Sequence, residues 1–319
     1  MGNKFTIGRI SAGGAFIFCV VVVAFNFYFL GAGLLALATA PEIDSASADP
    51  DHLPAIKDTY RLPPPPAFLT ELTARSVYVS VENNAPWPLI KKSVDEPLPL
   101  ASLTKLMTAL VVLDLKPDWN KIMTISGGDK RGGAYSPLHI GETISVRDLW
   151  ALSLVSSDND ATAALVRSTG VNESDFINKM NQKAVALDMA SSKFVEPTGL
   201  SSENSSTTHN MALLSRAAFT TAEIFNALSQ KSATITISGI KQTIKSSDLK
   251  LRDISGQKAD WKFLSGKTGH IEESGYNASL IAQIADGHKA LVVLLGSASA
   301  VARADEVAEI AVWVSKFIP

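Results

Sequence analysis

Hydrophobic and polar positions along this chain follow one period at its two ends and another in its middle. The stretch "TELTARSVYVSVE" (Thr70–Glu82) alternates as a half-buried strand does. Asn83-Asn84 then marks a turn, and "PWPLI" returns as a second, short strand. "PLPLASLTKLMTALVVLDL" (Pro97–Leu115) predicts a helix from about Ala101. Helical spacing continues in "SVRDLWALSLVSS" (Ser145–Ser157), "DATAALVRS" (Asp160–Ser168), "DFINKMNQKAVAL" (Asp175–Leu187) and "HNMALLSRAAFTT" (His209–Thr221). Thr143–Asp148 offers an N-cap for the first of these. Strand character returns in "ATITISG" (Ala233–Gly239), "WKFLSGKTG" (Trp261–Gly269), "YNASLIAQIA" (Tyr276–Ala285) and "KALVVLLGS" (Lys289–Ser297), and an apolar-faced helix over Arg303–Phe317 closes the chain. Strands at both ends and helices between them read as an α+β fold. The simplest assembly is one antiparallel sheet built from both ends, flanked by helices, with a helical subdomain inserted. The crevice between sheet and insertion is where a site is expected.

The ends of the chain change this picture. Lys4 and Arg9 precede an almost uncharged run from Ile10 to Ala40, long enough to span a bilayer. Ala38-Thr39-Ala40 before Pro41 has the small residues of a cleavage site. A cleaved signal and an uncleaved transmembrane anchor fit this segment equally. In both cases the positive charges stay in the cytoplasm and the rest of the chain faces out. Glu42–Ala67, rich in Pro, Asp and Ser and containing Pro63-Pro64-Pro65-Pro66, reads as an extended tether. The expected organisation is therefore residues 1–40 as signal or anchor, 41–69 as linker and 70–319 as a catalytic domain.

Composition narrows the chemistry. The 319 residues carry a net charge of −2, with no clustered basic face for nucleic acid. The single cysteine, Cys19, lies in the apolar N-terminal run, so the rest of the chain has neither a disulfide framework nor a thiolate metal site. The histidines His52, His139, His209, His270 and His288 lack metal-ligand spacing, and no metal or cofactor is expected.

Three short motifs carry candidate chemistry. In Ser102-Leu103-Thr104-Lys105, residues three apart share one helix face. Burial lowers a lysine pKa, so a neutral Lys105 amine would take the proton of the Ser102 hydroxyl. The bland alternative is a capping serine followed by a chance lysine. Ser157-Asp158-Asn159 lies at the junction of two helical stretches, where a hydroxyl and an amide can relay a proton and hold a substrate amide. Alone it reads better as a cap. Lys267-Thr268-Gly269 ends a strand, with a lysine to bind a carboxylate, a hydroxyl to orient it and a glycine to let another backbone lie close.

Together and in this order, the three motifs are those shared by β-lactamases and penicillin-binding proteins. With "LASLTKLMTALVVLD", "GETISVRDLWALSLVSSDNDATAAL", "FVEPTGLSSENSSTTHNMALLSRA" and "GKTGHIEESGYNASLIAQ", the chain resembles the serine D-alanyl-D-alanine carboxypeptidase/endopeptidase family, the low-molecular-weight penicillin-binding proteins. The stretch after Gly269 looks more like the endopeptidase branch. The resemblance implies a β-lactamase/transpeptidase-like fold and an acyl-enzyme formed on Ser102 from D-Ala bonds of peptidoglycan stem peptides. β-Lactams would act as covalent inhibitors. It implies Lys105 as base, Ser157 as proton relay and Asn159 as holder of the substrate amide. Lys267 and Thr268 would grip a carboxylate beside Gly269. The main-chain N–H groups of Ser102 and His270 would bind the oxyanion. Two alternatives remain: a β-lactamase, in which Glu196 would activate the deacylating water, and a β-lactam-sensing domain with slow turnover. "EPTGL" (Glu196–Leu200) fits the peptidases, and Glu196 reads as a structural group that caps its loop.

Overall fold

The structure, a computed structural model, describes residues 66–82, 87–133, 135–257, 261–284 and 287–317. The expected N-terminal segment, and all of the tether up to residue 65, lie outside the described residues. After a short 3-10 turn at Ala67–Thr70, the chain forms β1 (Ser76–Glu82), β2 (Trp87–Lys92) and the two-residue β3 (Leu98–Pro99). The insertion follows as α1 (Thr104–Asp114), β4 (Ile122–Thr124), β5 (Thr143–Ser145), α2 (Val146–Leu154), α3 (Asn159–Ser168), α4 (Glu173–Ala186) and β6 (Ser205–Ser206). It continues with α5 (Thr208–Thr220), α6 (Ala222–Leu228), β7 (Ser232–Ile237), β8 (Ile240–Lys245) and α7 (Leu249–Gln257). β9 (Trp261–Ile271), β10 (Gly275–Ile284), β11 (Lys289–Ser297) and α8 (Ala300–Phe317) complete the chain.

The main sheet is antiparallel in the order β2-β1-β11-β10-β9. The expected sheet stitched from both ends is thus present, with β9 at one edge. Both of its faces are covered. Leu291, Val293 and Leu295 of β11 join Tyr78 in a core shared with α1, α2 and α5. Ala290, Val292 and Leu294 turn the other way and pack with Val77, Val79 and the α8 residues Val307, Ile310 and Val314. Burial on both faces explains why β11 reads as an unbroken apolar run.

The first strand begins later than its pattern predicts. Thr73 N–H and hydroxyl donate to Glu306 Oε1 at 2.5 and 2.7 Å, and Ala74 N–H reaches the same oxygen at 3.1 Å. These residues are spent on α8, so pairing starts at Ser76. A second sheet is ordered β4-β5-β7-β8, and only β7, read from "ATITISG", shows in the hydrophobic pattern. Two of its strands are three residues long, and β8 is exposed at all but one position. Caps set several helix starts: Ser145 accepts Asp148 N–H at 3.1 Å, and Asp158 accepts Ala161 N–H at 2.7 Å.

Candidate active site

The segment Leu100–Lys105 enters its helix through an unusual backbone. Ala101 has φ of 49°, and a 3-10 turn over Ala101–Leu103 precedes α1. The predicted helix therefore begins as a tight turn that sets Ser102 at its head. Two glycines admit other chain segments against this elbow. At Gly199, whose φ is +90°, a Cβ would lie 2.0 Å from Ala101 O and 2.8 Å from Ser102 N. At Gly269 on β9 it would lie 2.9 Å from Ser102 N and 3.0 Å from Leu100 O. Asn277, opposite Gly269 on β10, donates to Pro99 O and Leu100 O at 2.9 and 3.1 Å. The candidate nucleophile is thus held between a loop and a sheet edge.

Lys105 is fully buried. Its Nζ lies 3.0 Å from Ser102 Oγ, 2.7 Å from Asn159 Oδ1 and 2.7 Å from Thr198 O. Burial pulls its pKa down from 10.5 to about 7, although the negative charges of Glu196 and Asp158 oppose the fall. The neutral amine has two N–H donors and one lone pair. The carbonyl of Thr198 and the Oδ1 of Asn159 only accept, so they take the two donors. The lone pair is left for the Ser102 hydroxyl, the only neighbour of the three with a proton to give. This is the arrangement of a base beside a nucleophile.

Ser157 sits between α2 and α3 with φ of 65°, a left-handed conformation uncommon for a residue with a side chain. Asp158, not Ser157, is the cap of α3. Ser157 is thereby released, and its Oγ accepts from Lys267 Nζ at 2.8 Å. Asn159 bridges two elements: its Oδ1 faces Lys105, and its Nδ2 donates to Gly132 O at 2.9 Å. Lys267 is also almost wholly buried and makes a second bond to Thr268 O at 2.9 Å. Burial, together with the nearby charges of Lys105 and Arg303, holds its amine well below the usual lysine range, against the pull of Asp248. Thr268 Oγ1 lies 3.4 Å from both Ser247 O and Ser247 Oγ. The exposed ring of His270 stacks on Tyr276 at 3.9 Å.

All the residues singled out in the three motifs therefore meet in one crevice between β9, the head of α1 and the α2–α3 junction. Several partners had no legible signal. Thr198 contributes only its carbonyl. Arg303, at the start of the expected closing helix, is buried, donates to Asn277 O at 3.3 Å, leaves its Nε without a partner and lies over Tyr276. Glu196 folds its own loop: it accepts from Thr198 N and Oγ1, Gly199 N and Asn204 Nδ2 at 2.5–2.7 Å. These four donors occupy a carboxylate's roughly four acceptor positions.

Known proteins resemble this chain in sequence and in fold. A profile of the D-alanyl-D-alanine carboxypeptidase family (peptidase S11) matches residues 63–298. A D-alanyl-D-alanine endopeptidase from Pseudomonas aeruginosa is 40% identical over 157 residues, covering 48% of this chain and 50% of that protein. Its counterpart from Haemophilus influenzae is 37% identical over 186 residues, covering 57% and 62%. The matched stretch thus spans about half the length of the first relative and under two thirds of the second. Among solved structures, penicillin-binding protein D2 from Listeria monocytogenes in its ampicillin-bound form superposes with a TM-score of 0.62 at 29% identity, covering 77% of this chain and 98% of that one. A D-alanyl-D-alanine carboxypeptidase from Mycobacterium tuberculosis superposes with a TM-score of 0.69 at 21% identity, covering 82% and 96%, a likeness of fold.

Proposed function

Because this chain belongs to the peptidase S11 family of D-alanyl-D-alanine carboxypeptidases, we propose that it is a serine DD-peptidase that cleaves D-alanyl bonds of peptidoglycan stem peptides through an acyl-enzyme on Ser102. The observation that carries this reading is the Lys105 amine, buried, half neutral near pH 7 and 3.0 Å from the Ser102 hydroxyl.

In the proposed reaction Lys105 takes the Ser102 proton as Oγ bonds to the D-Ala carbonyl carbon. The negative charge on the carbonyl oxygen is held by the main-chain N–H groups of Ser102 and His270. The close approach of β9 to Ser102 at Gly269 supports that pairing. As the C–N bond breaks, Ser157 passes its proton to the leaving amine and takes in exchange the proton that Lys105 carries, which returns Lys105 to the neutral amine. Water then attacks the ester, its proton returns through Lys105, and Ser102 is restored. Asn159 holds the substrate amide while it holds Lys105. Lys267, Arg303 and Thr268 face a substrate carboxylate, since this end of the crevice gathers positive charge with Asp248 as its nearby counter-charge, already bound to Arg252.

Glu196 favours a peptidase over a β-lactamase, because its acceptor positions are filled by its own loop and none is left to activate water. We further read residues 1–40 as a signal or membrane anchor that delivers the domain to the wall side of the membrane. Among the described residues no helix is long and apolar enough to cross a membrane. The deciding experiment is mass spectrometry after incubation with a penicillin and with purified cross-linked muropeptides. A penicillin adduct on Ser102, lost in Ser102→Ala, together with muropeptides cut at a D-alanyl bond, is expected. An adduct on another residue overturns the assignment, and fast release of the penicillin with no muropeptide cleavage makes the protein a β-lactamase. An adduct that persists without muropeptide turnover makes it a sensor.

A further inference from the structure

We propose that the outer face of the β7–β8 hairpin is a cationic docking track for the carboxylate-bearing stem peptides of polymeric peptidoglycan, an inference that rests on the DD-peptidase reading. The register pairs Ser232 with Lys245, Thr234 with Thr243 and Thr236 with Lys241. Strand alternation puts these six side chains on one face. It holds four hydroxyls, two ammonium groups and no carboxylate. The opposite face carries Ala233, Ile235, Ile237 and Ile244 into the core.

Charge here departs from the rest of the chain. Lys231, Lys241, Lys245 and Lys250 are all exposed, in a protein whose net charge is −2. Among the described residues none of the four is in an ion pair. Asp248, the sole acid from Ser229 to Lys250, is buried against Arg252 at 2.6 Å. The neighbouring Asp148, on α2, accepts Thr236 N–H at 3.3 Å. Two features join the track to the crevice. β8 is an edge strand whose free side is open. Two residues beyond Lys245, Ser247 donates its N–H to Val155 O at 2.9 Å and lies 3.4 Å from Thr268. Lys241 lies about 13 Å further out along the strand. A polymer whose reacting peptide occupies the crevice beside Thr268 would run its neighbouring peptides along these lysines. A muropeptide dimer, with both of its peptides joined at the reacting cross-link, has no neighbouring peptides to lie along them.

Lysines on an edge strand also guard against edge-to-edge pairing, and the test separates the two roles. The double variant Lys241→Gln/Lys245→Gln is compared with wild type and with Lys91→Gln, an exposed lysine on β2 at the opposite edge of the main sheet. Three readouts are taken on the full chain: penicillin labelling of Ser102, cleavage of a soluble cross-linked dimer, and cleavage of isolated polymeric peptidoglycan. The double variant should label and cut the dimer within about twofold of wild type, and need about five- to tenfold more polymer for half-maximal rate. The wild-type polymer rate should fall between about 50 and 300 mM salt, with a flatter response in the variant. Unchanged polymer cleavage overturns the track but leaves the peptidase reading intact. So does an equal loss on all three readouts, an equal effect of Lys91→Gln, or self-association as the sole change. A wild-type protein that neither labels nor cuts the dimer overturns both.

Discussion

Lys267 donates to Ser157 Oγ across 2.8 Å, so the β9 lysine meets the hydroxyl of the second motif directly. Under the proposed function Lys267 would have two tasks that substitution separates. One would be to orient Ser157 for proton transfer, and the other to attract a substrate carboxylate. Lys267→Gln should slow both an acidic peptide and a carboxylate-free ester. The acidic peptide should lose about one to two decades more, the worth of a charge-assisted contact. Arg303→Gln, which leaves Ser157 untouched, should raise KM for the acidic peptide and spare the ester. Steady-state kinetics on the paired substrates checks this, and equal losses for both variants on both substrates would remove the carboxylate role.

Lys105→Arg should cut acylation by about 10²–10⁴, nearly as much as Lys105→Ala, because a guanidinium keeps its proton in a protein and cannot accept another. Stopped-flow penicillin labelling measures it. Near-normal labelling by the arginine variant would exclude Lys105 as the base.

The pH dependence has a definite sign. Lys105 is protonated below about 7 and neutral above it. Acylation in the wild type should rise through neutral pH and drop about tenfold per unit on the acid side. The same group shapes stability. Unfolded, the lysine binds its proton up to its ordinary 10.5, whereas folded it releases it near 7. The unfolded state holds the extra proton in that window, so the fold gains stability as pH rises from 7 toward 10.5. The denaturant midpoint of the wild type should climb relative to Lys105→Met across this range. Parallel curves would place the lysine pKa in its ordinary range.

Gly199→Ala should cost about 2–4 kcal/mol and most of the acylation rate, since its Cβ meets Ala101 O at 2.0 Å in a left-handed backbone. Urea unfolding and penicillin labelling on one preparation would test both effects. A stable, fully labelled variant would show that the loop yields without moving Ser102.

How far this was legible can be followed residue by residue. The main-sheet strands and the longer helices announce themselves because each buries a long, regular apolar face. The pairing of Ser102 with Lys105 follows from helical spacing alone, and the resemblance supplied its two companions. Three things stayed hidden for physical reasons. Thr198 acts through a carbonyl that every residue possesses. The short strands β4 and β5 offer too few residues to show a period. Ser157, which the resemblance marks as the relay, reads by itself as a cap, because the left-handed φ that frees its side chain leaves no mark in the sequence.

The strand order also sets a biosynthetic order. β1, among the first parts of the domain to be made, finds its partner across the main sheet only in β11, near the chain's end. Until Lys289–Ser297 emerges, the β1–β2 pair and the β9–β10 pair remain unjoined. Such sequence-distant pairing is the slow part of folding. Ser102 and Lys105 thus exist as residues long before they exist as a reagent. A chain halted before Ser297 has the nucleophile but not the sheet that sets Gly269 and Asn277 against it. Under the proposed function, a fragment that stops short of β11 lacks the assembled site, so the order of synthesis withholds the activity until the sheet closes.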